Sequence, residues 1–474
     1  MIDHARHEHH DFLNATAKAL ADPPLQAALT RLTSTLMAGN RRGFAALADS
    51  SALRDHAKRI KEHTLAHLDR YLEQLESAVL ARGGQVHWAA TAADAGRIVV
   101  EIARRENCRR VVKSKSMTSE EIHLNPTLEA AGIEVTETDF GEYILQLAGE
   151  RPSHLVAPAV HHTRESVARV LSTATGQPLP DDPVYLAGVG RRLLREKFAQ
   201  ADMGITGANF AVAETGTVAL VTNEGNGRLT TSCPRVHVAI MGMEKVIPRL
   251  IDLPVFLKLL ARGATGQTLS VYTTLITGAR RAGERDGAES FHLVLLDNGR
   301  SRVLGTPFRE SLQCIRCGAC LNACPVYRRI GGHAYGGTYA GPIGSILTPL
   351  YDSVADHPHL PHASSLCGAC QAACPVKINL PQMLIGLREL QQHEAGLKSR
   401  GERLAYGLAC AVMRRPWLFR LAARVARLVL PPFARAGWLR RLPGPGAGWT
   451  RDRDFPAPTR PSFRDRWNQS GGNV

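Results

Sequence analysis

Residues 314–326, "CIRCGACLNACPV", and residues 364–376, "SSLCGACQAACPV", decide what the second half of this chain folds into. The first stretch holds four cysteines in the spacing Cys-x2-Cys-x2-Cys-x3-Cys-Pro, namely Cys314, Cys317, Cys320 and Cys324. In this spacing three thiolates surround one tetrairon core, and the fourth turns away to a second cluster. The pattern therefore predicts a domain built around two iron–sulfur clusters.

The second stretch supplies three more cysteines, and the same crossing rule divides all seven between two 4Fe-4S sites. Cluster 1 takes Cys314, Cys317, Cys320 and Cys374. Cluster 2 takes Cys324, Cys367 and Cys370. Ser364 stands where the first cysteine of the second group would be, so cluster 2 lacks a fourth cysteine ligand.

Three alternatives stay open for cluster 2. It is a 3Fe-4S cluster, or it is a cubane whose fourth iron is held by Ser364 or water. In the third alternative the ligand comes from elsewhere, from His333, His362 or a partner subunit. The spacing favours the first two, because it places Ser364 at the ligand position and positions no other residue there.

Zinc is the alternative metal, since Cys-x2-Cys pairs also form zinc ribbons. A third thiolate and a Cys-Pro end in both groups favour iron–sulfur clusters instead. We find no secretory signal and no apolar run of about 18 residues, which predicts a cytoplasmic protein whose thiols stay reduced. The three scattered cysteines, Cys108, Cys233 and Cys410, are expected to be buried small apolar side chains.

The positive charge of the chain is concentrated near its C-terminus. Of a net charge of +15, residues 401–474 contribute +10, from 14 arginines against one glutamate and three aspartates. Without a helix-turn-helix or interleaved aromatic residues, this charge does not predict nucleic-acid binding. It predicts contact with an acidic partner protein or peripheral contact with an anionic membrane surface, and a merely solvated basic surface is the alternative.

The spacing of apolar residues divides the chain into four parts. Residues 1–80 have helical periodicity, and residues 81–300 alternate helix-like stretches with short strand-like runs. This alternation predicts an α/β domain with a largely parallel sheet. Residues 304–395 are predicted to be a helical ferredoxin-type domain, and residues 396–474 a basic helical and irregular region. The strand-like runs are "QVHWAA", "RRVVKSK", "IEVTET", "SHLVAPAV", "NFAVAE", "TVALVTN", "VHVAIMG" and "FHLVLLD".

The α/β part contains a candidate anion site in residues 113–121, "KSKSMTSEE", which follow a predicted strand and open a predicted helix. Its candidate residues are Lys113, Ser114, Lys115 and Ser116. Thr118 and Glu121 have the spacing of a capping box. A helix N-terminus with lysines and hydroxyls suits a carboxylate or phosphate. The alternative is a capped helix with solvated lysines.

Two further candidates have weaker signals. Glu214 lies in "AETGT" and is either an acyl acceptor or, more often for such a residue, a hydrogen-bonded structural carboxylate. His161 and His162 either line a pocket or are simply exposed. No G-x-G-x-x-G follows a strand, so no flavin or nicotinamide site is predicted, and turnover is expected to depend on partners.

Several long stretches resemble one family, the iron–sulfur B subunit of bacterial L-lactate utilisation systems. They include "VVKSKSMTSEEIHLNPTLEAAGIEVTETDFGEYILQL", "PSHLVAPAVHH", "AVAETGT", "CIRCGACLNACPVYRRIGGHAYGGTYAGPIG", "SLCGACQAACPVKINLP" and "LPGPGAGWTRD". The resemblance implies that the α/β part is a lactate-utilisation domain, similar in fold to sugar-phosphate isomerases and CoA transferases. It also implies an electron-transfer component of a complex that oxidises L-lactate to pyruvate.

The resemblance further implies two partner subunits, an iron–sulfur protein with Cys-Cys-Gly segments and a small protein with a lactate-utilisation domain. Whether this chain is itself an enzyme is left open. Two rival functions are kept: the iron–sulfur subunit of a glycolate-type 2-hydroxyacid dehydrogenase, and a self-sufficient α/β enzyme regulated by its clusters. A redox sensor that binds nucleic acid is the weakest alternative.

Overall fold

The structure is a computed structural model, and it describes residues 11–393, 400–442, 444–450, 453–459 and 461–470. The described residues form two compact units, divided between Gln391 and Gln392. The first unit holds the α/β domain and both cysteine groups. The second holds the arginine-rich part of the chain.

Four helices precede the sheet: α1 (Phe12–Leu20), α2 (Pro23–Ala45), α3 (Ser50–Ala66) and α4 (Leu68–Ala81). The first three begin at aspartates whose carboxylates accept a backbone N–H from the first turn, namely Asp11, Asp22 and Asp49. This is the usual N-cap contact. The fourth helix ends at Ala81, and Gly83 beyond it has a left-handed backbone with a φ of +78°.

Ten strands follow up to residue 296. They are β1 (Gln85–Ala89), β2 (Arg110–Lys113), β3 (Glu134–Glu137), β4 (Met203–Thr206), β5 (Phe210–Val212), β6 (Thr217–Thr222), β7 (Val236–Gly242), β8 (Val246–Ile247), β9 (Tyr272–Ile276) and β10 (Ser290–Leu296). Six of them form one sheet in the order β1-β10-β7-β4-β2-β3, and every pair in it is parallel. The predicted α/β class with a largely parallel sheet is therefore confirmed.

Nine helices accompany the strands of this region: α5 (Ala92–Arg105), α6 (Met117–Glu121), α7 (Leu124–Ala130), α8 (Phe140–Ala148), α9 (Arg164–Thr175), α10 (Pro183–Gln200), α11 (Asn226–Ser232), α12 (Leu253–Ala264) and α13 (Arg300–Leu304). Alternate residues of β10 enter two different cores: Leu293 and Leu295 join one, and Val294 and Leu296 join the other. Both faces of the sheet are therefore covered, as a parallel sheet requires.

A second sheet, in the order β8-β5-β6-β9, was not predicted as a separate unit. Its two- and three-residue strands β8 and β5 are too short to give a period. The strand-like run at residues 153–160 is not a strand. There the Nδ1 atom of His154 accepts the backbone N–H groups of Val156 and Ala157, and Pro158 within the run has no backbone N–H to donate to a sheet.

Between residues 304 and 393, all of which the structure describes, there is no strand. The helices here are α14 (Ala319–Ala323), α15 (Tyr327–Ile330), α16 (Gly341–Tyr351), α17 (Ala369–Ala373) and α18 (Leu380–His393). The second unit contains α19 (Arg400–Arg414), α20 (Pro416–Val429), β11 (Trp438–Leu439), β12 (Phe455–Pro456) and α21 (Phe463–Gln469). No helix among the described residues is long and apolar enough to span a bilayer.

A buried ion network connects the sheet to the helical part. Arg300 donates from Nη1 and Nη2 to the two carboxylate oxygens of Glu121 at 2.9 and 2.8 Å, and from Nε to Glu244 at 2.6 Å. Arg316, in the first cysteine loop, donates to the other oxygen of Glu244 at 3.3 Å. The Tyr339 hydroxyl donates to Glu121 at 2.6 Å. The side chain of Arg300 is fully buried, so each of these charges depends on its partners.

We expect Arg300→Met to lower the free energy of unfolding by about 3 to 5 kcal/mol, because it leaves Glu121 and Glu244 buried without their main counter-charge. Urea denaturation would measure the loss. Arg97→Met is the control, since Arg97 is 58% exposed and its pairs with Asp94 and Glu101 are screened by water and should contribute little to stability. Equal losses in the two variants would contradict this account of the network.

Candidate metal centre and the adjoining cleft

The four thiols predicted for cluster 1 line one cavity. They are Cys314, Cys317, Cys320 and Cys374. Most of the remaining lining is apolar, from Leu155, Ile315, Ile343, Val376, Ile378 and Leu380. None of the other three cysteines of the motifs lines this cavity. The crossed assignment of ligands to two clusters stays a prediction.

The other three cysteines form a second group nearer the surface. Cys324 and Cys370 are buried, whereas Cys367 is exposed. Burial, followed by the neighbouring Cys324 thiol, raises the pKa of Cys370 to about 11. The pKa of the exposed Cys367 thiol shifts in the opposite direction, because the backbone N–H of Ala369 lowers it. The two groups therefore differ in solvent access.

The two cysteine loops share one backbone geometry, offset by 50 positions. The N–H of Arg316 donates to the Cys314 sulfur at 3.4 Å, and the N–H of Leu366 donates to the Ser364 hydroxyl at 3.1 Å. Arg316 and Leu366 both have left-handed backbones, with φ of +59° and +55°. The Ser364 hydroxyl thus has the same place in the second loop as the Cys314 sulfur in the first. This supports Ser364 as the residue at the incomplete corner.

The spacing of the sulfurs discriminates between zinc and a cluster. In a tetrahedral zinc site with Zn–S bonds of 2.3 Å, neighbouring sulfurs lie about 3.8 Å apart. Within residues 11–393, no three cysteine sulfurs lie within 4.8 Å of one another. A cavity separates the four thiols of the first group instead, and this arrangement fits an iron–sulfur core better than a single ion.

Buried donors around the first cavity also fit a negatively charged group. The side chain of Arg316 is 7% exposed, and its Nε and Nη1 atoms have no hydrogen-bond partner among the described residues. The backbone N–H of Ile378 donates to the Cys374 sulfur at 3.4 Å. Burial raises the pKa of Cys374 to about 12, so this thiol releases its proton only when a metal takes its place.

Helix α3 contributes cations that the sequence did not single out. Arg54 donates from Nη2 to the carbonyl oxygens of Cys374 and Ala372, at 2.6 and 2.8 Å. Lys58 pairs with Glu310 at 2.7 Å. Arg54, Lys58 and the buried Lys61 are spaced four and three residues apart, so they share one helical face. Their spacing was visible in the sequence, but nothing in it showed which element the face meets.

The structure places the predicted anion-site residues in two different environments. Lys113 is fully buried and pairs with Glu137 at 2.7 Å and Glu120 at 3.1 Å. Its charge is thus already compensated. Ser114, Lys115 and Ser116 instead line an open cleft that Lys113 does not line. Glu214 is exposed and accepts the backbone N–H of Leu250 at 2.8 Å, which is the structural contact named as its alternative.

The predicted capping box at Thr118 and Glu121 is wrong. The N-cap is Ser116, whose hydroxyl accepts the N–H of Ser119 at 3.2 Å, and the helix has only five residues. Glu121 is instead held by Arg300. Two of the scattered cysteines also differ from expectation, since Cys108 is buried but Cys233 and Cys410 are exposed.

The histidines noted in the sequence lie away from the cleft. His161 and His162 are half-buried, and their Nε2 atoms contact Glu150 at 2.6 and 3.1 Å. His333, one of the other ligands considered for cluster 2, contacts the carbonyl oxygen of Arg151 at 2.8 Å and packs on His161. His362, the second of them, contacts the Gln391 side chain at 2.9 Å.

The open cleft lies at the carboxyl ends of β2 and β4. From β2 the chain continues to β3 on one side, whereas from β4 it continues to β7 on the other side. The boundary between β2 and β4 is therefore the topological switch point, where open α/β sheets bind ligands. Arg316 and Leu155 line both this cleft and the four-cysteine cavity.

A parallel α/β domain joined to a helical domain with paired cysteine loops defines an iron–sulfur protein with two functional regions. Models of known families match in the same order: the LUD domain at residues 72–296, the 4Fe-4S dicluster domain at 310–378, and the C-terminal region of lactate utilisation protein B at 387–472. The third match covers the arginine-rich part of the chain.

The chain belongs to the lactate utilization protein B family. It is 47% identical to the member from Geobacillus kaustophilus over 423 residues, 89% of each chain. It is 45% identical to the member from an Exiguobacterium species over 464 residues, 98% of each chain. A crystal structure of a duf162 family protein from Deinococcus radiodurans matches 48% of this chain and 98% of its own, at 14% identity and a TM-score of 0.28, which is too low for a comparison of folds.

Gly263, in α12, should be needed for cluster binding. A Cβ atom at this position would lie 2.8 Å from the Pro375 ring and 3.2 Å from the Cys317 sulfur. We expect Gly263→Ala to lower the iron and sulfide bound per chain, because this crowding costs about 1 to 3 kcal/mol and exceeds the helix-propensity gain of about 1 kcal/mol. Gly188→Ala in α10 is the matched control, since the nearest side-chain atom there is 3.7 Å away. Full metal content in both variants would show that α12 does not shape the cavity.

Proposed function

We propose that this chain is the iron–sulfur electron-transfer subunit of a complex that oxidises L-lactate to pyruvate. The observation that carries the proposal is the enclosed cavity lined by Cys314, Cys317, Cys320 and Cys374, with a second group of three cysteines beside it. Clusters bound at these positions would supply single-electron transfer, while this chain's own residues would bind, orient and insulate them.

The proposal assigns two clusters, with the crossed ligand sets given by the two cysteine loops. Ser364 is proposed to face the corner of cluster 2 that has no cysteine. A serine hydroxyl is a poor iron ligand beside a thiolate, because its oxygen is harder and loses its proton far less readily. Cluster 2 is therefore proposed to be either a three-iron cluster or a cubane with Ser364 or water on its fourth iron.

The relatives carry the name lactate utilization protein B, which supports lactate as the source of the electrons. We propose two partner subunits, an iron–sulfur protein with Cys-Cys-Gly segments and a small protein with a lactate-utilisation domain. The compartment is proposed to be the cytoplasm. Peripheral contact with an anionic membrane through the arginine-rich unit is also proposed, and the exposed Trp417, Phe419 and Leu421 beside the arginines of α20 support it.

Deleting the gene should abolish growth on L-lactate in a strain without another lactate dehydrogenase, and should leave growth on glucose unchanged. A plasmid copy of the wild-type gene should restore growth on lactate, and a Cys317→Ser copy should not, because that thiol lines the cluster cavity. Cys233→Ser is the control, since Cys233 is exposed and outside both loops. Growth of the deletion strain on lactate would reject the pathway. Loss of growth on glycolate alone would favour the glycolate-type alternative.

Ser364→Cys should supply the eighth thiolate. We expect the variant to convert a three-iron signal in the oxidised protein into a silent cubane and to lower the potential of cluster 2, because a thiolate adds negative charge. Electron paramagnetic resonance of protein never exposed to air, with iron, zinc and sulfide analysis, measures both effects. Ser77→Cys, an exposed position on α4 outside both cysteine loops, should leave the spectrum unchanged. A Ser364→Cys spectrum and potential identical to wild type would show that Ser364 is not at the incomplete corner.

A further inference from the structure

Three cationic side chains line the cleft at the switch point, and they come from three separate segments of the first unit. Lys115 follows β2, Lys245 follows β7, and Arg316 belongs to the first cysteine loop. Two acidic residues also line the cleft, and both have backbone partners. Asp139 accepts the N–H of Glu142 at 3.1 Å, and Glu224 accepts the N–H of Asn223 at 3.1 Å. The charge balance of the lining therefore favours an anion.

Lys245 is the cation that most needs a partner. It is 7% exposed, and its ammonium group has no hydrogen-bond partner in the part of the chain that the structure describes. The neighbouring Glu244 cannot compensate it fully, because the two oxygens of that carboxylate already accept from Arg300 and Arg316. Burial, followed by the repulsion of Arg316, lowers the pKa of Lys245 to about 7, and a carboxylate in the cleft would favour its protonated form.

Asn226 places an unpaired hydrogen-bond acceptor in the lining of the cleft. It is 7% exposed and lines the cleft, and its Oδ1 atom has no hydrogen-bond partner among the described residues. The orientation of its amide is fixed by Thr138, whose hydroxyl donates to the carbonyl oxygen of Lys113 at 2.9 Å and so accepts from Asn226 Nδ2 at 3.3 Å. The free Oδ1 is an acceptor, which calls for a hydroxyl or amide donor on the ligand.

We propose that the cleft binds a small 2-hydroxycarboxylate, whose carboxylate pairs with Lys245 and Lys115 and whose hydroxyl donates to Asn226. The cationic side chains favour a carboxylate on the ligand, and the unpaired Asn226 Oδ1 favours a hydroxyl. Both features of the proposed ligand therefore follow from the residues that line the cleft. The choice of lactate among such acids rests on the function proposed above. Because Arg316 and Leu155 line both this cleft and the four-cysteine cavity, the proposed ligand would lie next to cluster 1.

Titration calorimetry of the anaerobic holoprotein tests the site with L-lactate, propionate and inorganic phosphate as separate probes. We expect lactate to bind more tightly than propionate, which lacks the hydroxyl. Lys245→Met should weaken lactate binding at least about tenfold, the usual effect of losing a charge-assisted hydrogen bond. Lys258→Met is the matched control, because Lys258 is exposed on α12 and outside the cleft. Asn226→Ala should remove the preference for lactate over propionate.

Cluster content of each variant, from iron and sulfide analysis, separates loss of binding from loss of fold. If Lys245→Met loses its clusters, Lys115→Met provides the same comparison. Wild-type protein that binds none of the probes, or a Lys245→Met variant that binds lactate as wild type does, would overturn the site. Tighter binding of phosphate than of lactate would overturn the carboxylate assignment. If the protein does not bind lactate in this cleft but has its full cluster content and supports normal growth on lactate, the proposed site is wrong and the proposed electron-transfer function is retained.

Discussion

The pairing of Arg300 with Glu121 and Glu244 is the interaction on which the arrangement of this protein depends. Glu121 ends a short helix after β2, Glu244 follows β7, and Arg300 begins the helix after β10. The three side chains are buried, so none of them can exchange its partner for water without a large cost in free energy. Although burial opposes ionisation, the guanidinium groups of Arg300 and Arg316 lower the pKa of Glu244 to about 2.

The same network positions the first cysteine loop against the α/β domain. Arg316 lies between two cysteines of that loop, shares Glu244 with Arg300, and stacks on the Tyr339 ring at 4.6 Å. Its guanidinium therefore belongs at once to the ion network, to the wall of the cleft and to the wall of the thiol cavity. In the proposed function this contact would let an anion in the cleft and cluster 1 influence each other through one side chain.

The two cysteine loops share a backbone geometry, yet their surroundings differ. The cavity of the first group is lined mainly by apolar side chains, and Arg54 of α3 donates to the carbonyl oxygen of Cys374, whereas the second group includes the exposed Cys367. For the proposed relay, the enclosed cluster would exchange electrons with the cleft side of the molecule. The second cluster, with a thiol at the surface, would be the one accessible to a partner protein. The two loops also differ in their candidate ligands, because the second loop has Ser364 where the first has Cys314.

The sequence by itself determined the class of the fold and the order of the α/β and 4Fe-4S domains, and it predicts how seven cysteines are divided between two clusters. These follow from local signals, since strand and helix periods are short and a cluster loop takes its ligands from neighbouring positions. The correspondence of Ser364 to Cys314 also follows from aligning the sequences of the two cysteine loops. Local reasoning failed at the capping box and at residues 153–160, where Ser116 and the His154 side chain make competing contacts with the backbone.

Only the tertiary structure decided which charged residues are available for function. In the sequence Lys113 and Lys115 look equivalent, but folding surrounds Lys113 with Glu137 and Glu120 and leaves Lys115 in the cleft. Lys245 and Asn226 carry no motif, and they become candidates because, among the described residues, the Lys245 ammonium group and the Asn226 Oδ1 atom are left without hydrogen-bond partners. The physical reason is that desolvation and pairing depend on residues far apart in the chain, which no periodicity or spacing records.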